Sequence, residues 1–137
     1  MIPDLFDVRD FGAVGDGVAL DTDAVNAAVR KAEGGGTVRF PAGRYLCFSI
    51  RLRSGVTLQL DDGAVIEAAD PALHAGTYDP AEDNEHDLYQ DFGHSHWQNS
   101  LIWGDGVEDV AITGPGLIDG VGLTREGPGS RWRKQAG

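Results

Sequence analysis

The chain has 137 residues, enough for one domain, and a hydrophobic share of 41% allows it a core. The net charge of −11 is uneven: residues 1–60 are neutral overall, 61–119 hold fourteen acids with no Lys or Arg, and 120–137 are basic. The acidic middle argues against nucleic acid and anionic membranes as partners, lone Cys47 excludes an internal disulfide and a Cys-built zinc site, and no apolar run reaches the ~20 residues of a membrane span.

Glycine occurs 20 times, about twice its average share, which favours tight turns over a helical bundle. The first residues, MIPDLFDVRD, carry neither a basic nor an apolar stretch. No signal peptide is expected in this chain.

Phe6 to Phe11 read as a short extended lead-in, followed by a glycine-rich turn from Gly12 to Gly17. A helix is expected over about 22–33. Ala24, Val25, Ala28, Val29 and Ala32 fall on one stripe at helical spacing, and Gly34-Gly35-Gly36 stops it. Asp21 or Thr22 would cap it, with Arg30 and Lys31 in its last turn. After Gly36 the period changes to two. TVRF, PAG and RYLCFSIRLRS read as strand, turn, strand, with Leu46, Phe48, Ile50 and Leu52 facing inward and Tyr45, Cys47, Ser49 and Arg51 facing outward. GVTLQL and AVIEA continue in this style, with Val56, Leu58 and Leu60 on one face.

Residues 69–97 break the pattern with two prolines, many acids and all four histidines, and read as a long excursion. Strands resume at SLIWG, VEDVAIT and GLIDG. The stretch 55–67 can be laid over 107–119 without a gap, so that Glu67 falls on Asp119 and four of five apolar positions match. Repeating short strands suit either stacked coils or an antiparallel sandwich.

Few residues carry a chemical signal. His94, His96, Trp97 and Asn99 cluster where the excursion returns, and an aromatic face beside polar groups suits a sugar. These four are the candidate substrate contacts. His86, His94 and His96, with Glu85 and Asp91, have the residue types of a metal site but no firm framework; no metal is expected. Asp61-Asp62 reads as a solvated turn, Arg51 and Arg53 as surface cations, and Cys47 as a structural thiol. The glycines at 12–17 lack the order of a dinucleotide fingerprint, and no glycine run precedes Lys-Ser or Lys-Thr.

Two segments carry a family resemblance. DVRDFGAVGDGVALDTDAVNAAVRKAEGGGTVRFPAGRYL (7–46) resembles the N-terminal cap of pectate-lyase-like right-handed parallel β-helices. VEDVAITGPGLIDG (107–120) resembles the early coils of glycoside hydrolase family 28, the polygalacturonases and rhamnogalacturonases. The resemblance implies an all-β solenoid with one capping helix: a cap over about 1–36, first coils over about 37–120 and a basic tail over 121–137. It also implies inverting hydrolysis of α-linked galacturonosyl bonds in an acidic plant cell-wall polysaccharide, by a secreted or periplasmic protein without a cofactor. The family's Asn-Thr-Asp, Asp-Asp, Gly-His-Gly and Arg-x-Lys motifs lie on later coils and have no counterpart in this sequence. No catalytic residue is therefore assigned, and the chain is expected to be an incomplete domain. A tailspike-like binding module, and a lyase or epimerase on the same cap, are the alternative readings.

Overall fold

Val38, Phe40, Val56, Leu58, Leu60, Ala64 and Ile66 recur at alternate positions, and all are buried. A side chain that points inward every second residue, on strands separated by short turns, winds a chain around one core. The computed structural model describes residues 4–80 and 100–123. It is a right-handed parallel β-helix.

Three parallel sheets form its walls. β1 (Leu5–Asp7), β3 (Thr37–Phe40), β6 (Thr57–Leu60) and β9 (Ala111–Thr113) make the first. β2 (Asp16–Leu20), β4 (Gly43–Cys47), β7 (Ala64–Ala68) and β10 (Leu117–Asp119) make the second. β5 (Ile50–Arg51) and β8 (Ile102–Trp103) make the third. Register stacks like on like. Phe6, Val38, Leu58 and Ile112 form one inward column, and Tyr45, Ile66 and Ile118 another. Each fully buried aliphatic in these columns contributes about 1.5–3 kcal/mol.

The repeat seen in the sequence is a repeat of coils. β10 lies on β7 in the register that pairs Asp119 with Glu67. β9 lies on β6 two residues away from the gapless alignment, with Ile112 on Leu58, because the later turn is shorter by two residues. A shift of two keeps every side chain on its face, so the pattern survives the error.

The one α-helix among the described residues, α1 (Thr22–Ala32), buries Val25, Ala28, Val29 and Ala32 against the open first coil. Its N-cap position is Asp21, but the carboxylate makes no cap bond. It is buried and accepts the N–H groups of Val14 and Gly15 at 2.9 and 3.0 Å. It thus fastens the glycine turn, where Gly12, Gly15 and Gly17 have φ of 105, 74 and 75°, values that only glycine adopts cheaply. That segment holds two elements the sequence pattern did not reveal: a 3-10 turn over Val8–Phe11 in place of an extended lead-in, and β2 beginning at Asp16.

Among the described residues no strand lies above β5, so one edge of β5 is open. Ile50 and Leu52 donate downward to the carbonyls of Leu101 and Trp103. The opposite edge is met by a side chain. Asn26 of α1, itself buried, donates Nδ2–H to the Ser49 carbonyl at 2.9 Å and accepts the Arg51 N–H on Oδ1 at 2.8 Å. A carboxamide carries the same donor and acceptor as a peptide group, so Asn26 stands in for one residue of the missing strand.

The inward and outward assignments for residues 45–48 need correction. Tyr45 and Cys47 point into the main core and are fully buried, while Leu46 and Phe48 pack with Ala69 in a second cluster on the other face of the sheet. Both faces are therefore apolar at the C-terminal end of β4, where Ala69 and Tyr78 cover the outer one. A bend at Phe48-Ser49 separates β4 from β5 and resets the phase, so Ile50 does face the core. Burial pushes the Cys47 thiol up, and it stays protonated. Tyr78 closes the second cluster edge-on against Phe48, with ring centroids 5.1 Å apart. Its hydroxyl is pushed up to about 12, chiefly by burial.

Candidate functional site

The excursion leaves the coil after Ala68, and Ser100 returns to the same place that Asp79 reaches. Ser49 accepts the Asp79 N–H on its Oγ and donates its hydroxyl to the Ser100 carbonyl, both at 2.8 Å. Because Ser49 is buried, one hydroxyl ties both described feet of the excursion to the start of β5.

Arg51 follows two residues later and points outward. Its Nε and Nη2 donate to the two carboxylate oxygens of Asp79 at 2.8 and 2.7 Å. Trp103, the register partner of Arg51 on β8, donates its indole N–H to the same carboxylate at 2.9 Å. The paired guanidinium, more than the indole, holds the Asp79 carboxyl below the usual range. A carboxylate with three such donors remains ionised and has no free proton to give. This cluster can orient a ligand and fix the excursion; it is not built for acid–base chemistry.

Two clefts flank Arg51. One, of about 260 Å³, lies against the start of α1 and is bordered by Thr22, Asp23, Phe48 and Thr77. The other, of about 300 Å³, lies at the end of α1 and is bordered by Glu33, Arg53, Ser54, Trp103, Asp105 and Val107.

The sequence-derived contacts His94, His96, Trp97 and Asn99 lie outside the described residues, as do His86, Glu85 and Asp91. The other assignments can be placed. Asp61 is a turn residue paired with Arg39 at 2.7 Å, and it also accepts from Gln59. Asp62 is exposed. Arg51 and Arg53 are outward cations as read, but Arg51 is the centre of a network that sequence reasoning missed. Asp79 is 28 residues away, so spacing gives no sign of the pair. The one available cue was an indole on the strand to which the excursion returns. Among the described residues no group of three or more His, Cys, Asp or Glu could hold a metal ion. No helix of the described residues is long and apolar enough to cross a membrane.

Over residues 5–124 the sequence matches the family described as rhamnogalacturonase A/epimerase, pectate lyase-like. The chain belongs to this family. A Vitis vinifera protein named probable polygalacturonase is 37% identical over 119 residues, which cover 82% of this chain and 24% of that protein. A mannuronan C5-epimerase of Azotobacter vinelandii is 57% identical over 42 residues, 29% of this chain and 3% of the epimerase. The family 28 exopolygalacturonase of Yersinia enterocolitica overlays with a TM-score of 0.71 at 32% identity, covering 93% of this chain and 22% of that one. The resemblance to family 28 read from residues 107–120 thus holds. The chain spans about a quarter of the length of the polygalacturonase relative it matches.

Proposed function

We propose that this chain supplies the cap and first coils of a polygalacturonase-type glycoside hydrolase, secreted or periplasmic, acting on plant cell-wall polysaccharide. The reaction is inverting hydrolysis of α-linked galacturonosyl bonds, which requires two carboxyl groups about 6.5–9.5 Å apart across a groove. Those groups belong to coils beyond the ones described. The observation that carries the reading is the overlay of 93% of this chain on 22% of a family 28 exopolygalacturonase. The sugar contacts His94, His96, Trp97 and Asn99 belong to the same proposal, since they lie between two residues that both bond Ser49.

A chimera tests it. The matching quarter of the Yersinia enzyme is replaced by this chain, and release of reducing ends from polygalacturonate is followed. An active chimera is expected, with no release by this chain alone. A folded but inactive chimera, or hydrolysis by this chain alone, overturns the reading. The second reading, an epimerase or lyase, is favoured by the 57% identity to the mannuronan epimerase; unsaturated sugar ends in the product would select the lyase.

A further inference from the structure

The cleft of about 300 Å³ forms where the end of α1, the turn after β5 and the turn after β8 meet. Its walls combine one aromatic ring with polar groups that keep unused hydrogen-bonding capacity. The ring of Trp103 is fixed by its indole bond to Asp79. Arg53 comes no closer to Glu33 than 3.7 Å, with both side chains about half exposed. Asp105 is exposed on the opposite rim. Ser54 Oγ accepts the Glu108 N–H at 3.0 Å, which leaves its O–H to donate.

Charge decides which sugar fits. Arg51 is neutralised by its two-pronged pair with Asp79. Among the described residues that line the cleft, the remaining charged groups are Arg53, Glu33 and Asp105, which leave one negative charge in excess. A sugar carboxylate entering the cleft meets net repulsion in a partly enclosed space. Sugar hydroxyls meet two carboxylates that accept and a guanidinium that donates, beside an indole that covers a C–H face. We infer that this cleft binds a neutral glycosyl residue, or a uronate whose carboxyl is esterified, and discriminates against the free acid. The inference rests on the glycosidase reading and narrows its substrate to polysaccharide with neutral or esterified units at this position.

The test uses the 15N-labelled 137-residue chain, titrated with a galacturonate trisaccharide and with its fully methyl-esterified form, at about 20 mM salt so that charge is little screened. The ester should shift the Trp103 indole and Asp105 amide resonances, and the free acid should bind about tenfold more weakly or less. Removing both carboxylates with Glu33→Gln and Asp105→Asn, substitutions at exposed positions, leaves Arg53 as the charge in excess and should close that gap or reverse it. Trp103→Ala should abolish the ester's binding and Trp103→Phe restore part of it. Equal or tighter binding of the free acid, a gap unchanged in the double variant, or no shift with either sugar would overturn the inference. An active chimera alongside any of these results sinks the cleft alone. Ester-selective shifts alongside an inactive chimera sink the hydrolase reading alone.

Discussion

Single side chains carry unusual weight where the solenoid begins. Asn26 satisfies two backbone groups that no strand of the described residues reaches. Asn26→Ala leaves the Ser49 carbonyl and the Arg51 N–H unpaired, at about 1–3 kcal/mol for each buried group left open. A total loss of about 2–4 kcal/mol is expected in urea unfolding, and a loss below about 1 kcal/mol would show that water replaces the amide. Asp79 gives a pH signature. Its folded carboxyl sits below the ordinary value, chiefly because of Arg51, so the unfolded chain takes up the proton first as pH falls. The stabilisation is complete above about pH 4–5 and is lost as pH drops through the folded value. Asp79→Asn should therefore flatten part of the fall in Tm between about pH 5 and pH 3. Asp16 and Asp61 are also held low, so a residual slope in the same direction is expected.

Elements are held by how closely their backbones approach. Gly114, in the turn between β9 and β10, has a φ of 97°, and a Cβ placed there would collide with the Leu60 carbonyl oxygen. Gly114→Ala must move one coil against the next, at about 1–3 kcal/mol for the backbone conformation alone. Thermal unfolding should show a drop of several degrees. An unchanged Tm would mean that the last described coil is not docked as seen. The ion pairs on the outer walls matter less. Arg44 pairs with Glu67 on the next coil and comes within 4.0 Å of Asp119 on the coil beyond it, but its side chain is half exposed, and such pairs are typically worth ~0–1 kcal/mol. Arg44 is in register with Val65 and Arg39 with Gln59, so each pair runs diagonally to an acid two residues further along the next coil.

At the scale of the molecule the two ends differ. The first coil is covered by α1. In the last described coil Ile112, Leu117 and Ile118 remain 46, 57 and 41% exposed, although Ile112 and Ile118 sit in the inward columns. The same residue type therefore has different worth along one column. Ile66→Ala should cost about 2–5 kcal/mol and Ile118→Ala less than about 1 kcal/mol in this chain. If further coils follow, as proposed, Ile118→Ala should cost as much in the longer protein as Ile66→Ala does here. Denaturant midpoints of the three variants and their two parents measure this directly; a large Ile118 effect in this chain would mean its side chain is already covered.

Wherever neighbours in sequence decide the structure, the sequence alone was enough. The helix stripe, the stop at Gly34, the inward set Val56, Leu58 and Leu60, and the repeat of 55–67 in 107–119 depend on periods of two and 3.6, which any reader can count. Tertiary structure decided what depends on distant partners. Tyr45 and Cys47 face the core because a bend at residues 48 and 49 resets the alternation, and Leu46 is buried as well because Ala69 and Tyr78 of the excursion pack on it. The Arg51–Asp79–Trp103 cluster could not be read from spacing, since its members come from two coils and the loop between them. Alternation fixes the face on which a side chain stands; only the winding of the coils decides what it meets there.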